Sequence, residues 1–270
     1  LNDLLVSSPN GLYFIRDGNA RKLSDCSCYG VTWDRERLYV GEKENLCVRA
    51  WGPDLSRGEV VINDVHDPHQ ALWTGGALYA TNTGMNTLDV DRDGCVERRS
   101  WGQDNDLHLN SVWIYGDLLW VVEHRNGRPP SRVRAFGPRF RDLVRHNFYD
   151  FNEGEQAWGL HNVYVEGGKL YTLAVGEMFV RDLGTGRTDS IRLGGYLRGL
   201  ARTKDRWYVG RSRLTERQRR REGMGEVLAL DDEFRLLGTA RLGDAGQVYE
   251  VRALDGDKAH NRLSCPWRER

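Results

Sequence analysis

The sequence predicts an all-β fold, a six-bladed β-propeller, and three observations carry that expectation. A phrase recurs about every 40 residues, the pitch of one four-stranded blade. No stretch shows an apolar period of helical spacing; the polar run from Thr215 to Glu222 is the one place to consider a helical turn. A lone strand-like run near the C-terminus matches three strand-like runs at the N-terminus.

The recurring phrase is a polar entry, an apolar-x-aromatic step, a turn, and an apolar-aromatic pair. It reads Gly30-Val31-Thr32-Trp33 with Leu38-Tyr39-Val40, then Gln70-Ala71-Leu72-Trp73 with Leu78-Tyr79-Ala80. It returns as Asn110-Ser111-Val112-Trp113 with Leu118-Leu119-Trp120, and as Asn162-Val163-Tyr164-Val165 with Leu170-Tyr171-Thr172. A fifth copy is Gly199-Leu200-Ala201-Arg202 with Trp207-Tyr208-Val209. Two further strand-like runs follow each pair, such as Leu46–Trp51 and Glu59–Ile62, or Glu226–Leu230 and Arg235–Ala240. Asp-Gly, Gly-Gly and Thr-Gly steps separate the runs as hairpin turns, and the 31 glycines fit that many tight turns. The sixth copy is split. Gly246–Arg252 would be its innermost strand, and Asp3–Ser7, Leu12–Ile15 and Ala20–Leu23 its outer three. Pairing them would close the ring and leave no open sheet edge at the seam. The expected domain therefore runs from 1 to 256, with blade six made of 245–255 plus 1–24, and 257–270 as a tail.

Composition narrows the function. The 39 Lys+Arg balance 39 Asp+Glu, which argues against a nucleic-acid or anionic-membrane binder. Nine Trp, eleven Tyr and seven Phe exclude a disordered chain. No window offers the roughly 20 apolar residues of a membrane span, and Leu1 to Leu5 lack the features of a secretory signal. Five scattered cysteines without a CxxC pair read as reduced thiols, so a cytoplasmic location is expected.

In such a ring the residues that begin the innermost strands converge on the axis. Here they are rich in histidine: His66 and His69 before the second copy, His108 before the third, His161 before the fourth, and His124 at the end of a second strand. Neutral imidazoles from successive blades, with an open position, are the layout of a catalytic metal site. His69, His108 and His161 are the candidate ligands, with His66 and His124 in reserve. Zinc or iron is the expected metal. Gln70, Asn110 and Asn162, which follow these histidines, would orient the rings or bind substrate. His108 precedes its amide by two residues rather than one, so the chain there must bend for all three to converge.

Tyr29, Arg198, Tyr249 and Glu250 begin the other innermost strands. Arg198 would present its fork to a carboxylate or phosphate. Glu250 would act as a general base or pair with Arg198, and Tyr249 would handle protons. His124 and Arg211, at second-strand ends, complete the candidate substrate contacts. Two insertions overhang the same face: Arg125–Arg132, and Ser212–Met224 with Arg213, Arg217, Arg219, Arg220 and Arg221. The second is either a solvated loop or an attractor for an anionic substrate.

His69-Gln70-Ala71-Leu72-Trp73, His108-Leu109-Asn110-Ser111, Leu197-Arg198-Gly199-Leu200-Ala201 and Gly246-Gln247-Val248-Tyr249-Glu250-Val251 resemble an uncharacterised family of bacterial six-bladed propellers, over most of the chain. More distantly, His69, His108 and His161 are similar in layout to peptidyl-hydroxyglycine amidating lyase, which implies three axial metal ligands. A likeness to lactonase-type propellers would instead imply calcium on Asn110, Asn162 and Glu250. The expectation is a metal-dependent lyase or hydrolase for a small polar or anionic substrate. Two alternatives stay open: a calcium-dependent lactonase-like hydrolase, and a noncatalytic propeller that binds a peptide, glycan or protein.

Overall fold

A computed structural model describes residues 3–101, 107–125, 131–137, 143–150 (backbone only) and 159–254. The expected tail at 257–270 and the centre of the Arg125–Arg132 insertion lie outside the described residues.

Alternation of apolar residues with polar or small ones folds the chain into antiparallel strands, each hairpin leading to the next outward position. β1 (Leu4–Ser8), β2 (Gly11–Arg16) and β3 (Asn19–Ser24) form one run. β4 (Cys28–Trp33), β5 (Leu38–Glu42), β6 (Cys47–Trp51) and β7 (Arg57–Asn63) make a four-stranded sheet in that order. The next two sheets have the same order. One is β8 (Pro68–Thr74), β9 (Ala77–Asn82), β10 (Thr87–Arg92) and β11 (Cys95–Arg99). The other is β12 (Leu109–Tyr115), β13 (Leu118–Glu123), β14 (Arg132–Phe136) and β15 (Leu143–Asp150).

β16 (His161–Glu166), β17 (Lys169–Leu173) and β18 (Val175–Asp182) lead into the 15-residue β19 (Thr188–Arg202). β19 does double duty. Its first part pairs with β18, and its second pairs with β20 (Trp207–Ser212), which continues to β21 (Gly225–Leu230) and β22 (Leu236–Leu242). β23 (Glu250–Ala253) pairs antiparallel with β1, giving the sheet order β23-β1-β2-β3. This is the pairing of chain ends that the split copy implies.

Innermost strands touch in succession, β4 on β8, β8 on β12, β12 on β16, β16 on β19, β19 on β23 and β23 on β4. Backbones come close there. A Cβ on Gly30 would sit 2.2 Å from the Ala71 nitrogen, so glycine is required where β4 meets β8. The core lies between neighbouring sheets. Tyr39, Val48 and Ile62 of one sheet, for example, pack with Ala71, Leu78 and Ala80 of the next. Trp33, Trp51, Trp113 and Trp207 are fully buried, each filling a wedge that aliphatic side chains of both sheets complete.

Outer strands are tied by buried ion pairs. Glu42 accepts from Arg57 Nη2 (2.6 Å), Arg49 Nε (3.2 Å), Trp51 Nε1 (3.1 Å) and Asn45 Nδ2 (2.7 Å). Glu123 accepts from Trp101 Nε1 (2.8 Å) and pairs with Arg134 of the adjacent strand β14.

Among the described residues there is no α-helix; Thr83–Met85 and Arg217–Arg219 are 3-10 turns. The latter is what the polar run at 215–222 becomes. The run expected to begin at Gly246 becomes strand only from Glu250. Gly246 adopts φ 69°, and Gln247 N donates to Arg220 O (2.9 Å), so this segment is spent on docking the arginine-rich loop.

Candidate functional site

The innermost strands begin with irregularities, and these place the functional side chains. Pairing shifts register between Cys28 and Val31, Pro68 and Ala71, Leu109 and Ser111, His161 and Val163, and Leu197 and Leu200. A bulge adds a residue on one strand and re-aims its side chains. Tyr29, His69 and Arg198 lie inside these shifts, and His161 stands at the edge of one. His108 makes the bend its offset requires: it adopts φ 46°, held by Asn86 Oδ1, which accepts from His108 N at 2.8 Å.

The outcome is a closed circuit of eight side chains, each beside the next. Ring centroids are 5.4 Å apart for Tyr29–His69, 5.1 Å for His69–His108, and 4.9 Å for both His108–His124 and His124–His161. His161 lies 5.3 Å from Tyr196, the Arg198 guanidinium 4.9 Å from Tyr196 and 5.4 Å from Tyr249, and Tyr249 stacks 4.2 Å from Tyr29.

Of the candidate ligands, His69, His108 and His161 all reach this circuit. His124, held in reserve on sequence grounds, stands between His108 and His161. His66 does not join it, because its Nε2 lies 2.7 Å from Asp64 Oδ1 at the surface. Sequence reasoning did not single out Tyr196. Its signal was its place two residues before Arg198 on one strand, hence on the same face.

All four imidazoles are held neutral. Burial is the main cause, and the Arg198 charge adds to it in each. His108 is pushed down to about 4 and His124 to about 3, while His69 and His161 fall well below the usual range. His69 Nδ1 lies 3.0 Å from the Asp67 carbonyl, which can only accept, so Nδ1 carries the proton and Nε2 keeps its lone pair. Arg198 Nη2 donates to the Tyr196 hydroxyl (2.8 Å), which lies 3.2 Å from His161 Nε2. The guanidinium has no lone pair to accept with, so the Tyr196 hydroxyl donates its own hydrogen bond to His161 Nε2.

Arg198 is the anomaly. Its side chain is 4% exposed, its Nε is buried without a hydrogen bond, and among the described residues no carboxylate pairs with it. Glu250, one of its expected partners, is elsewhere. It is fully buried in the channel, accepts from Gln70 Nε2 (3.0 Å), and faces Arg252 Nε at 3.5 Å. Burial raises Glu250 to about 7 against the pull of Arg252.

The structure engages several expected substrate contacts internally. Gln70 Oε1 accepts from Ser111 Oγ (2.7 Å) and Val112 N (2.5 Å), so the residue ties β8, β12 and β23 together. Asn162 Oδ1 accepts from Gly199 N (2.7 Å), and Arg211 is bound to Glu226 (2.7 Å) and the Leu193 carbonyl (3.1 Å). Asn110 is buried with its Nδ2 unpartnered. The Gln70 and Asn162 side-chain oxygens are therefore engaged within the protein. Nor, among the described residues, do three His, Cys, Asp or Glu side chains group so as to hold a metal ion.

No family model and no curated protein matches the chain. Solved structures do. A chain of the nidogen/laminin complex aligns with TM-score 0.73 at 11% identity, over 95% of this chain and all of that one. A Bacteroides caccae protein of unknown function aligns with TM-score 0.64 at 10% identity, over 93% and 98%. Virginiamycin B lyase from Staphylococcus aureus, solved as a catalytically inactive histidine-to-alanine variant with quinupristin, gives TM-score 0.56 at 12% identity, over 76% and 75%. The fold is that of a β-propeller. Among the described residues no helix is long and apolar enough to cross a membrane.

Proposed function

We propose that the circuit is the active site of a lyase or hydrolase acting on a small anionic substrate. One observation carries this reading: a buried guanidinium with no carboxylate partner among the described residues, in one circuit with four neutral imidazoles. An uncompensated buried charge is costly, and a substrate carboxylate or phosphate entering the fork would offset that cost. Substrate would also prime the chemistry. Its negative charge cancels the Arg198 contribution that depresses the imidazoles, so their proton affinity rises only when the site is filled. In an elimination, one imidazole takes the carbon-bound proton and the C–H electron pair becomes the new π bond. The leaving group departs with its bonding pair and is protonated by Tyr196. Tyr249 remains a wall of the circuit, and Glu250 a buried channel group beneath it.

A second reading is a metal centre on His69, His108 and His161, with zinc or iron, or calcium on oxygen donors. The spacing of His69 and His108 favours it: 5.1 Å between centroids is close to the ~5 Å of two imidazoles sharing a tetrahedral ion. The donor grouping does not support three ligands, so no step is routed through a metal. A third reading is a partner-binding mouth without catalysis, as the nidogen/laminin likeness would suit. Under all three, the sheets are read as six blades of one ring closed by β23 on β1, spanning 1–256. The free thiols Cys26, Cys28, Cys47 and Cys95 suit a cytoplasmic location.

The test pairs turnover with metal content. Carboxylates bearing a β leaving group should be turned over, and His161→Ala should slow this about 100-fold. Protein exposed to zinc and ferrous iron should retain less than about 0.1 equivalent. Stoichiometric metal lost in both His108→Ala and His161→Ala would replace this reading with the second. Carboxylate binding without turnover would replace it with the third.

A further inference from the structure

We infer that the mouth holds a second anion subsite, a cavity that takes a phosphoryl group, so that the ligand of the circuit is an organic phosphate. This deepens the proposed active site and rests on it. The cavity, about 310 Å³, lies against Tyr29 and Tyr249 on one side and the arginine-rich loop on the other. That loop is a docked wall. Gln247 N donates to Arg220 O (2.9 Å), and Asn10 Nδ2 donates to Arg221 O (2.8 Å).

Charge identifies the ligand. Lys43, Arg217, Arg220 and Arg221 line the cavity. Asp67 takes Lys43 and Arg217, the latter at 2.9 Å, and Glu44 takes Arg221. Four cations less two carboxylates leave two positive charges. A phosphate monoester carries about −1.5 to −2 near neutral pH, whereas a carboxylate carries only one charge. Arg220 is the free cation: among the described residues it has no carboxylate partner, and its Nε is buried without a hydrogen bond. It lines the cavity together with Tyr29 and Tyr249, two members of the circuit. Arg198, whose guanidinium lies 5.4 Å from the Tyr249 ring, has a buried Nε equally unpartnered. Two guanidinium groups near one tyrosine, neither paired with a carboxylate among the described residues, fit one molecule with two anionic groups, a phosphoryl group at Arg220 and a carboxylate at Arg198.

Calorimetric titration of the full chain with inorganic phosphate and with acetate, at constant ionic strength, tests this. Arg220→Met should weaken phosphate binding at least ~10-fold and leave acetate unchanged, while Arg198→Met should do the reverse. Equal phosphate affinity in wild type and Arg220→Met would overturn the subsite; if acetate still depends on Arg198, the active-site reading survives that failure. Phosphate binding that depends on Arg220, with no acetate binding at all, would keep the cavity and remove the carboxylate anchor, overturning the two-group ligand.

Discussion

Replacing Arg198 with methionine is expected to stabilise the protein while removing its affinity for carboxylates. Ordinary buried side chains behave otherwise, since truncating them costs stability. The side chain is 4% exposed with no carboxylate partner among the described residues, and its compensation is one hydrogen bond to Tyr196 and the faces of two tyrosines. Desolvation of a guanidinium costs several kcal/mol, while cation–π contacts return about 1–2 each. Methionine keeps the length and the apolar stem. A gain of about 1–3 kcal/mol follows, seen as a midpoint several degrees higher in thermal unfolding. Acetate affinity should fall at least ~100-fold, because a charge-assisted fork in a dry site has no substitute. A variant less stable than wild type, or one that binds acetate equally well, would show that the charge is compensated in the protein itself.

Glu42→Ala has the largest expected effect on stability. The carboxylate is 1% exposed and binds two arginines, the Trp51 indole and Asn45, so its loss strands the buried indole and unties the donors of β6, β7 and the turn before β6. Breaking such a network costs about 3–5 kcal/mol, against about 0–0.5 for Glu44→Ala, whose pair with Arg221 is exposed. Burial pushes Glu42 up, but Arg57, Trp51, Arg49 and Asn45 together outweigh it and hold the group below the usual carboxylate range. Its stabilisation is therefore present above the unfolded value near 4.5 and lost as pH falls through the folded one. Urea titrations at pH 7 and pH 3 should show the Glu42→Ala penalty shrinking in acid. A constant penalty would mean that packing rather than charge is lost.

The propeller was legible because its evidence is local and repeated. Each aromatic pair marks a second strand, and Val251 could pair with Val6 only if the two ends of the chain meet. The circuit was half legible. His69, His108 and His161 stand at corresponding strand starts, and the bend demanded by His108 is there. The neighbour relations were not legible, because they depend on bulges that turn side chains by one position. His124 closes the arc from a different strand, and the fates of Gln70, Asn162 and Glu250 rest on partners as many as 180 residues away. Gln70 and Asn162 read as substrate contacts and Glu250 as a general base or a partner of Arg198, and in the structure their polar groups join innermost strands to one another.

Long-range ¹H–¹⁵N correlation of the histidine rings across pH 4–8 tests the central claim most directly. His69, His108, His124 and His161 are expected to stay neutral at pH 6, with His69 protonated on Nδ1 and His108 titrating near 4. If these four rings instead titrate together near the ordinary value of about 6.5, they are solvated and apart, and they form no closed circuit with Arg198.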